Sequence, residues 1–245
     1  MATAVEKAVT ELRAMIINGE LSIAERITES SAATLLGMSR TPVRAALAQI
    51  ESEGLLVKLE GRGYKIRPFT FRDLELAAEV RAVIEGVAAA RLASSGYSEE
   101  TAAAIERSIA MTEAIIGRDH LTRREIAIYQ EANDIFHSTI AKGCGNDFVP
   151  LSLEKISRIP IVAPGAFAEV EGMAQAELLR MTVGHTQHVI IWDAIRSGEA
   201  IRAENMMREH AGAPIRYAKL FIGPSYVNKL MKSGVLIRGE TDGQD

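Results

Sequence analysis

The sequence predicts a mainly α fold in two parts, and three observations carry that prediction. Residues 1–68 hold three short helix-period segments, then two strand-like runs around Gly61-Arg62-Gly63. From Phe71 onward, apolar residues recur at helical spacing through 71–94, 98–117, 121–142, 146–159, 168–197 and 199–221, with no strand-rich stretch. The breaks fall at Ser94-Ser95-Gly96, Gly117, Gly143-Cys144-Gly145-Asn146, Pro160 to Gly165 and Ser197-Gly198. These divisions predict a first domain over 1–68, an all-helical domain over 69–222 and a polar tail over 223–245.

The first domain is built from local signals. Val5, Val9, Leu12, Met15 and Ile16 share one face of a helix over 5–18, which Gly19 stops. Thr28 is the N-cap of a second helix, with Ser31 three residues on. Ala32, Ala33, Leu35 and Leu36 form its apolar face, and Gly37 ends it. Ser39 caps a third helix, with Pro42 in the first turn, where a missing N–H costs nothing. That helix runs through Val43, Ala46, Leu47 and Ile50 to Gly54. LLVKLE and YKIRPF then read as two strands around the Gly-Arg-Gly turn, and Pro68 breaks the second. Helix, short helix, turn, helix and hairpin make a winged helix-turn-helix. In that plan the third helix enters a DNA major groove with its N-terminal residues leading, and the hairpin is the wing.

Composition narrows the partners. The chain has 245 residues, 47% hydrophobic and 24% charged, as in ordinary soluble domains. No apolar run approaches the roughly 18 residues that span a bilayer, so no membrane partner is expected. MATAVEKAVTELR is charged in its first turns and lacks the apolar core of a signal peptide. Cys144 stands alone, which excludes an internal disulfide and fits a reducing cytoplasm. The net charge of −4 argues against a wholly basic coat, and residues 1–68 hold nine Lys and Arg against eight Asp and Glu. DNA would therefore be held by a few placed arginines and not by a general positive field.

Ser39, Arg40, Thr41 and Arg44 supply that placement. They lie in the first turns of the third helix, where free N–H groups and partial positive charge suit a phosphate. Arg40 and Arg44, four apart, share a face, and an arginine can bridge guanine O6 and N7. Gly61, Arg62 and Gly63 let backbone and one cation approach the duplex at the wing. The run from Gly19 to Ile66, with Glu29, Ser39 to Arg44, Ala46-Leu47, Gly54-Leu55 and Gly61 to Gly63, resembles the N-terminal domain of the GntR family of bacterial transcriptional regulators. The resemblance covers residues 5–68. It departs at Ser30, where many members place a DNA-contacting arginine.

The helical part holds a second constellation. Asn133 and His137 are four apart on one helix and point the same way. His188 and His210 lie on two further helices. Three histidines and an oxygen donor from three helices suit a divalent metal in a bundle core, and imidazole favours zinc, nickel, iron or copper. Spacing leaves His185 open as the inward residue in place of His188, and His120 reads as a loop residue.

EVRAVIEGVAAARLAS, NDIFH and the closing pair of histidines resemble the FCD domain, the helical effector domain of the FadR subgroup within GntR, over roughly 72–218. The resemblance implies an FCD-type helical bundle whose metal is held by Asn133, His137, His188 and His210, with zinc or nickel as the expected cofactor. Asn133 stands where an Asp is also used, which removes one negative charge. The resemblance also implies a small organic acid effector at the open metal positions, meeting an arginine. Arg81 is the first candidate for that clamp, through planar bidentate geometry, and Arg158 the second. Arg81 also reads as an i,i+4 surface partner of Glu85. Within the family the sequence looks closest to the vanillate-catabolism repressors, which implies control of genes for aromatic acids.

These readings converge on a ligand-responsive homodimeric regulator, a repressor that binds a palindromic operator, and not an enzyme. Three alternatives stand beside it: a sensor in which the ion is the signal, a scaffold with structural histidines, and a metal-dependent hydrolase. The last lacks a placed general base and leaves the DNA reader unexplained.

Overall fold

The computed structural model describes residues 2–17, 20–23, 25–69, 71–118, 120–156 and 174–217. Contacts divide these residues into an N-terminal unit ending at Leu74 and a helical unit beginning at Glu75. Gly19, Arg158, the break from Pro160 to Gly165 and the 223–245 tail lie outside the described residues.

The N-terminal unit holds α1 (Ala4–Ile17), α2 (Glu29–Leu36), α3 (Arg40–Ser52), β1 (Leu56–Lys58) and β2 (Tyr64–Ile66). Thr28 caps α2 as a capping box: its Oγ1 accepts from Ser31 N at 3.0 Å, and Ser31 Oγ accepts from Thr28 N at 2.9 Å. Gly37 closes α2 in the left-handed region at φ 61°, which makes the turn into α3. Val43, Ala46, Leu47 and Ile50 are all 0% exposed, so the predicted stripe of α3 is core. Arg13 of α1 grips the Glu53 carboxylate at the end of α3 through Nε at 3.2 Å and Nη2 at 2.8 Å. The strands pair antiparallel with Leu56 opposite Ile66 and Lys58 opposite Tyr64.

The predicted capping role of Ser39 holds only in part. Ser39 is the N-cap by backbone, extended at φ −69° and ψ 157°, but its side chain makes no capping hydrogen bond. The first N–H groups of α3 therefore lack the side-chain acceptor that Thr28 provides for α2.

The helical unit continues α4 (Phe71–Ser95) and adds α5 (Glu99–Glu113), α6 (Arg123–Gly143), α7 (Phe148–Ile156), α8 (Ala174–Arg196) and α9 (Ala200–Tyr217). Their common core joins Ala88, Ala89 and Leu92 of α4 to Ile105, Phe136, Ile140, Ile191, Trp192 and Met207. Ser98 and Thr122 cap α5 and α6, and Thr122 with Glu125 repeats the capping box. This core brings α4, α6, α8 and α9 together, and those four helices carry the histidines and their partners. No described helix is long and apolar enough to cross a membrane.

Candidate functional site

Four helices converge on three histidines. His137 comes from α6, His188 from α8 and His210 from α9, and all three are buried. His137 Nε2 lies 3.1 Å from His210 Nε2, and His188 Nε2 lies 3.0 Å from the same atom. Phe136 lies against His188, its ring centroid 3.9 Å away and the planes 19° apart, which fixes the imidazole. His185, the open alternative, goes elsewhere: its Nδ1 meets Thr112 Oγ1 of α5 at 2.7 Å.

The neighbours decide which nitrogens hold protons. Glu85 of α4 accepts from His137 Nδ1 at 2.7 Å and from Arg81 Nε at 2.6 Å. Burial opposes ionisation of Glu85, but His137 and Arg81 outweigh it and hold the carboxyl well below its usual range. An ionised carboxylate only accepts, so His137 donates from Nδ1, and Nε2 is the nitrogen left to face His210. His210 Nδ1 faces Gln187 Oε1 at 3.0 Å and donates there, which leaves its Nε2 a lone pair. Burial, with His137 beside it, lowers the His210 pKa to about 3, and burial holds His188 well below the imidazole range.

The uncharged imidazoles of His188 and His210 thus meet at about hydrogen-bond distance, and His210 meets the Nε2 of His137 likewise, with Nδ1 of His137 and of His210 engaged elsewhere. Such facing nitrogens can share a ring proton, or a cation can take its place. His137, His188 and His210 would be the ligands of such an ion, since one ligand nitrogen of each lies within 4.8 Å of the others. The donor set fits a divalent transition metal, and its imidazoles suit zinc or nickel. Glu85 and Gln187 are the outer partners that orient such ligands.

The other predicted site residues fall as follows. Asn133 lies one turn before His137 on the same face of α6 and is half-buried. Arg81 is paired with Glu85 as an i,i+4 couple, but the pair is not a surface one, because the two side chains are only 24% and 4% exposed. Arg158 lies outside the described residues. Ser39, Arg40, Thr41 and Arg44 are all exposed at the start of α3, as are Gly61 and Arg62 at the wing. Arg40 Nη2 donates to Ser30 Oγ at 3.2 Å. The Arg26 guanidinium donates to the Arg62 carbonyl and braces the wing tip. Gly61 and Gly63 both adopt φ +98°, and a Cβ on Gly63 would stand 2.7 Å from the Ile27 carbonyl oxygen.

Sequence reasoning missed four residues near this centre. Glu85 had a signal, its spacing from Arg81, read as a surface pair. Gln187 had none, since its partner His210 is 23 residues away. Glu177 and Arg180 form an ion pair on α8 at 0% and 9% side-chain exposure.

Residues 76–213 match the FCD domain, and residues 4–66 match the family described as "Bacterial regulatory proteins, gntR family". The chain belongs to the GntR family, in the group that carries an FCD domain. It is a transcriptional regulator and not an enzyme. Among curated relatives, this GntR chain is 27% identical over 201 residues to a probable D-xylose utilization operon transcriptional repressor of Paenarthrobacter nicotinovorans, covering 81% of each. It is 22% identical to the HTH-type transcriptional repressor GlaR of Escherichia coli, over 82% of this chain and 89% of that one. Among solved structures, E. coli McbR/YncC superposes with a TM-score of 0.62 at 19% identity, covering 86% and 94% of the two chains. Lar, described as controlling the Listeria monocytogenes agr system, gives 0.60 at 16%, covering 90% and 99%. These two likenesses support the fold.

Proposed function

We propose that this GntR regulator is a repressor of a catabolic operon whose FCD domain holds a divalent metal and a small organic acid. The metal ligands are His137, His188 and His210, with Asn133 as the oxygen donor. The ion supplies open coordination positions that a carboxylate fills. Arg81 meets the acid, while Glu85 and Gln187 hold His137 and His210 in the tautomers that present Nε2. The single observation that carries this reading is the convergence of three buried imidazoles, one each from α6, α8 and α9, with a ligand nitrogen of each within 4.8 Å of the others.

At the other end, Ser39, Arg40, Thr41 and Arg44 meet DNA from the start of α3, and Gly61, Arg62 and Gly63 meet it from the wing. A homodimer reads a palindromic operator in the cytoplasm. The two repressor relatives support the direction of control, and the likeness to vanillate-catabolism repressors puts aromatic acids in the first ligand panel. Acid binding weakens operator binding by the ratio of its affinities for the DNA-competent and DNA-released states.

Elemental analysis of purified protein, paired with operator binding titrated against acids, tests the proposal. The expected result is one metal per chain, lost in His188→Ala, and an acid that releases operator from wild type but not from that variant. Release by metal alone would make the ion the signal. A chain that takes up no metal would refute the centre.

A further inference from the structure

The two arginines at the start of α3 are held differently. Arg40 opens α3, and its Nη2 donates to Ser30 Oγ in the first turn of α2, 3.2 Å away and ten residues back in the chain. Among the described residues this is the one side-chain hydrogen bond that Arg40 makes, and Arg44, one turn on, makes none. Ser30, Arg40 and Arg44 are all exposed.

The link has no structural duty in either helix. Thr28 and Ser31 complete the capping box of α2 between them, and the Ser30 hydroxyl takes no part in it. The Ser30 carbonyl accepts from Thr34 Oγ1 at 3.1 Å, a bond that any residue at position 30 would offer. The turn into α3 closes without Arg40, through Gly37 N–H on the Thr34 carbonyl and Met38 N–H on the Ala33 carbonyl. What the link does is orient one guanidinium. A hydroxyl can accept from that group, whereas the arginine that the family resemblance places at position 30 could not, because a guanidinium only donates. Nη2 gives a single N–H to Ser30, and the remaining donors stay free for a base edge. An arginine already held in place also loses less rotamer freedom when it docks.

We infer, on the proposed reading of Arg40 as a DNA contact, that Ser30 is a positioning residue for operator specificity: its hydroxyl aims the Arg40 guanidinium at one base pair, while Arg44 is left to adapt. The probe is a duplex that the full-length wild-type protein selects from a randomised DNA library, together with its single base-pair variants. Arg40→Ala marks the base pair that Arg40 reads, as the position where discrimination is lost. Ser30→Ala should weaken binding of the selected duplex about three- to tenfold. It should lower discrimination at that same base pair and leave the other positions unchanged. Ser30→Thr keeps a hydroxyl and should restore both. In the Arg40→Ala background, Ser30→Ala should add nothing, because the two residues act as one unit.

Equal loss on every base-pair variant in Ser30→Ala overturns the inference, since it makes Ser30 a phosphate contact. Wild-type affinity and discrimination in Ser30→Ala overturn it too, as does an undiminished effect of Ser30→Ala in the Arg40→Ala background. Arg40→Ala that binds and discriminates as wild type fails differently. That result removes Arg40 from the DNA contacts, and the positioning role of Ser30 falls with it.

Discussion

Glu85→Gln keeps the shape of a buried side chain and removes its charge, and it strikes the metal centre through an outer partner. In the native chain one carboxylate, 3% exposed, receives Arg81 Nε at 2.6 Å and His137 Nδ1 at 2.7 Å. A glutamine amide has one oxygen and one NH2, so it can accept from only one of them. If the oxygen stays with Arg81, the NH2 faces His137 Nδ1, which must then become the acceptor. The ring proton moves to Nε2, and the lone pair a metal needs is gone. If the oxygen stays with His137, the NH2 faces the Arg81 N–H and two donors oppose each other. Removing one partner of a buried ion pair costs about 3–5 kcal/mol of stability. Loss of an outer partner lowers metal affinity about 10–100-fold. Zinc affinity by competition with a chromophoric chelator, and urea unfolding of the zinc-free protein, read the two effects separately. Zinc affinity within about twofold of wild type would refute the tautomer argument, and an unchanged urea midpoint would refute the buried ion pair.

Three further perturbations follow from the same geometry. In zinc-free protein, His188 and His210 have folded pKa values below the unfolded value near 6.5, so both are uncharged when folded and protonated when unfolded. Stability is therefore constant above about pH 6.5 on their account and falls as pH drops, by up to about 1.4 kcal/mol per pH unit for each histidine; for His210 the window extends down to about pH 3. Urea midpoints at pH 7, 6 and 5 with chelator present check it, and flat midpoints would contradict burial of the uncharged rings. Gly63→Ala sets a Cβ 2.7 Å from the Ile27 carbonyl oxygen at φ +98°; operator affinity should fall while the helicity of α1 to α3 by circular dichroism stays, and full affinity would mean the wing tip is not needed. Arg44→Ala should cost roughly 1–3 kcal/mol of operator binding, concentrated at one base pair if Arg44 reads a base, and Arg62→Ala should lower the salt slope by about one; unchanged binding or slope would remove each from the contact surface.

What could be read from the sequence, and what could not, divides by the range of the interaction. Thr28 and Ser31, Thr122 and Glu125, and the stripe Val43, Ala46, Leu47 and Ile50 are each decided within a turn or two of chain, so local spacing suffices for them. Ser39 shows where that logic ends: it stands at an N-cap, yet no rule of spacing says whether its hydroxyl turns to the helix. The choice between His185 and His188 could not be made along α8, because it depends on Thr112 of α5 taking one ring and Phe136 of α6 backing the other. Gln187 was invisible for the same reason. Arg81 and Glu85 had the right spacing for a pair and gave no hint of depth, because burial of α4 depends on α6 and α9 closing over it. That depth changes what the pair does. On a surface it would contribute a few tenths of a kcal/mol; inside, it sets the tautomer of His137, and with it whether the three helices present nitrogens or N–H groups to the same point.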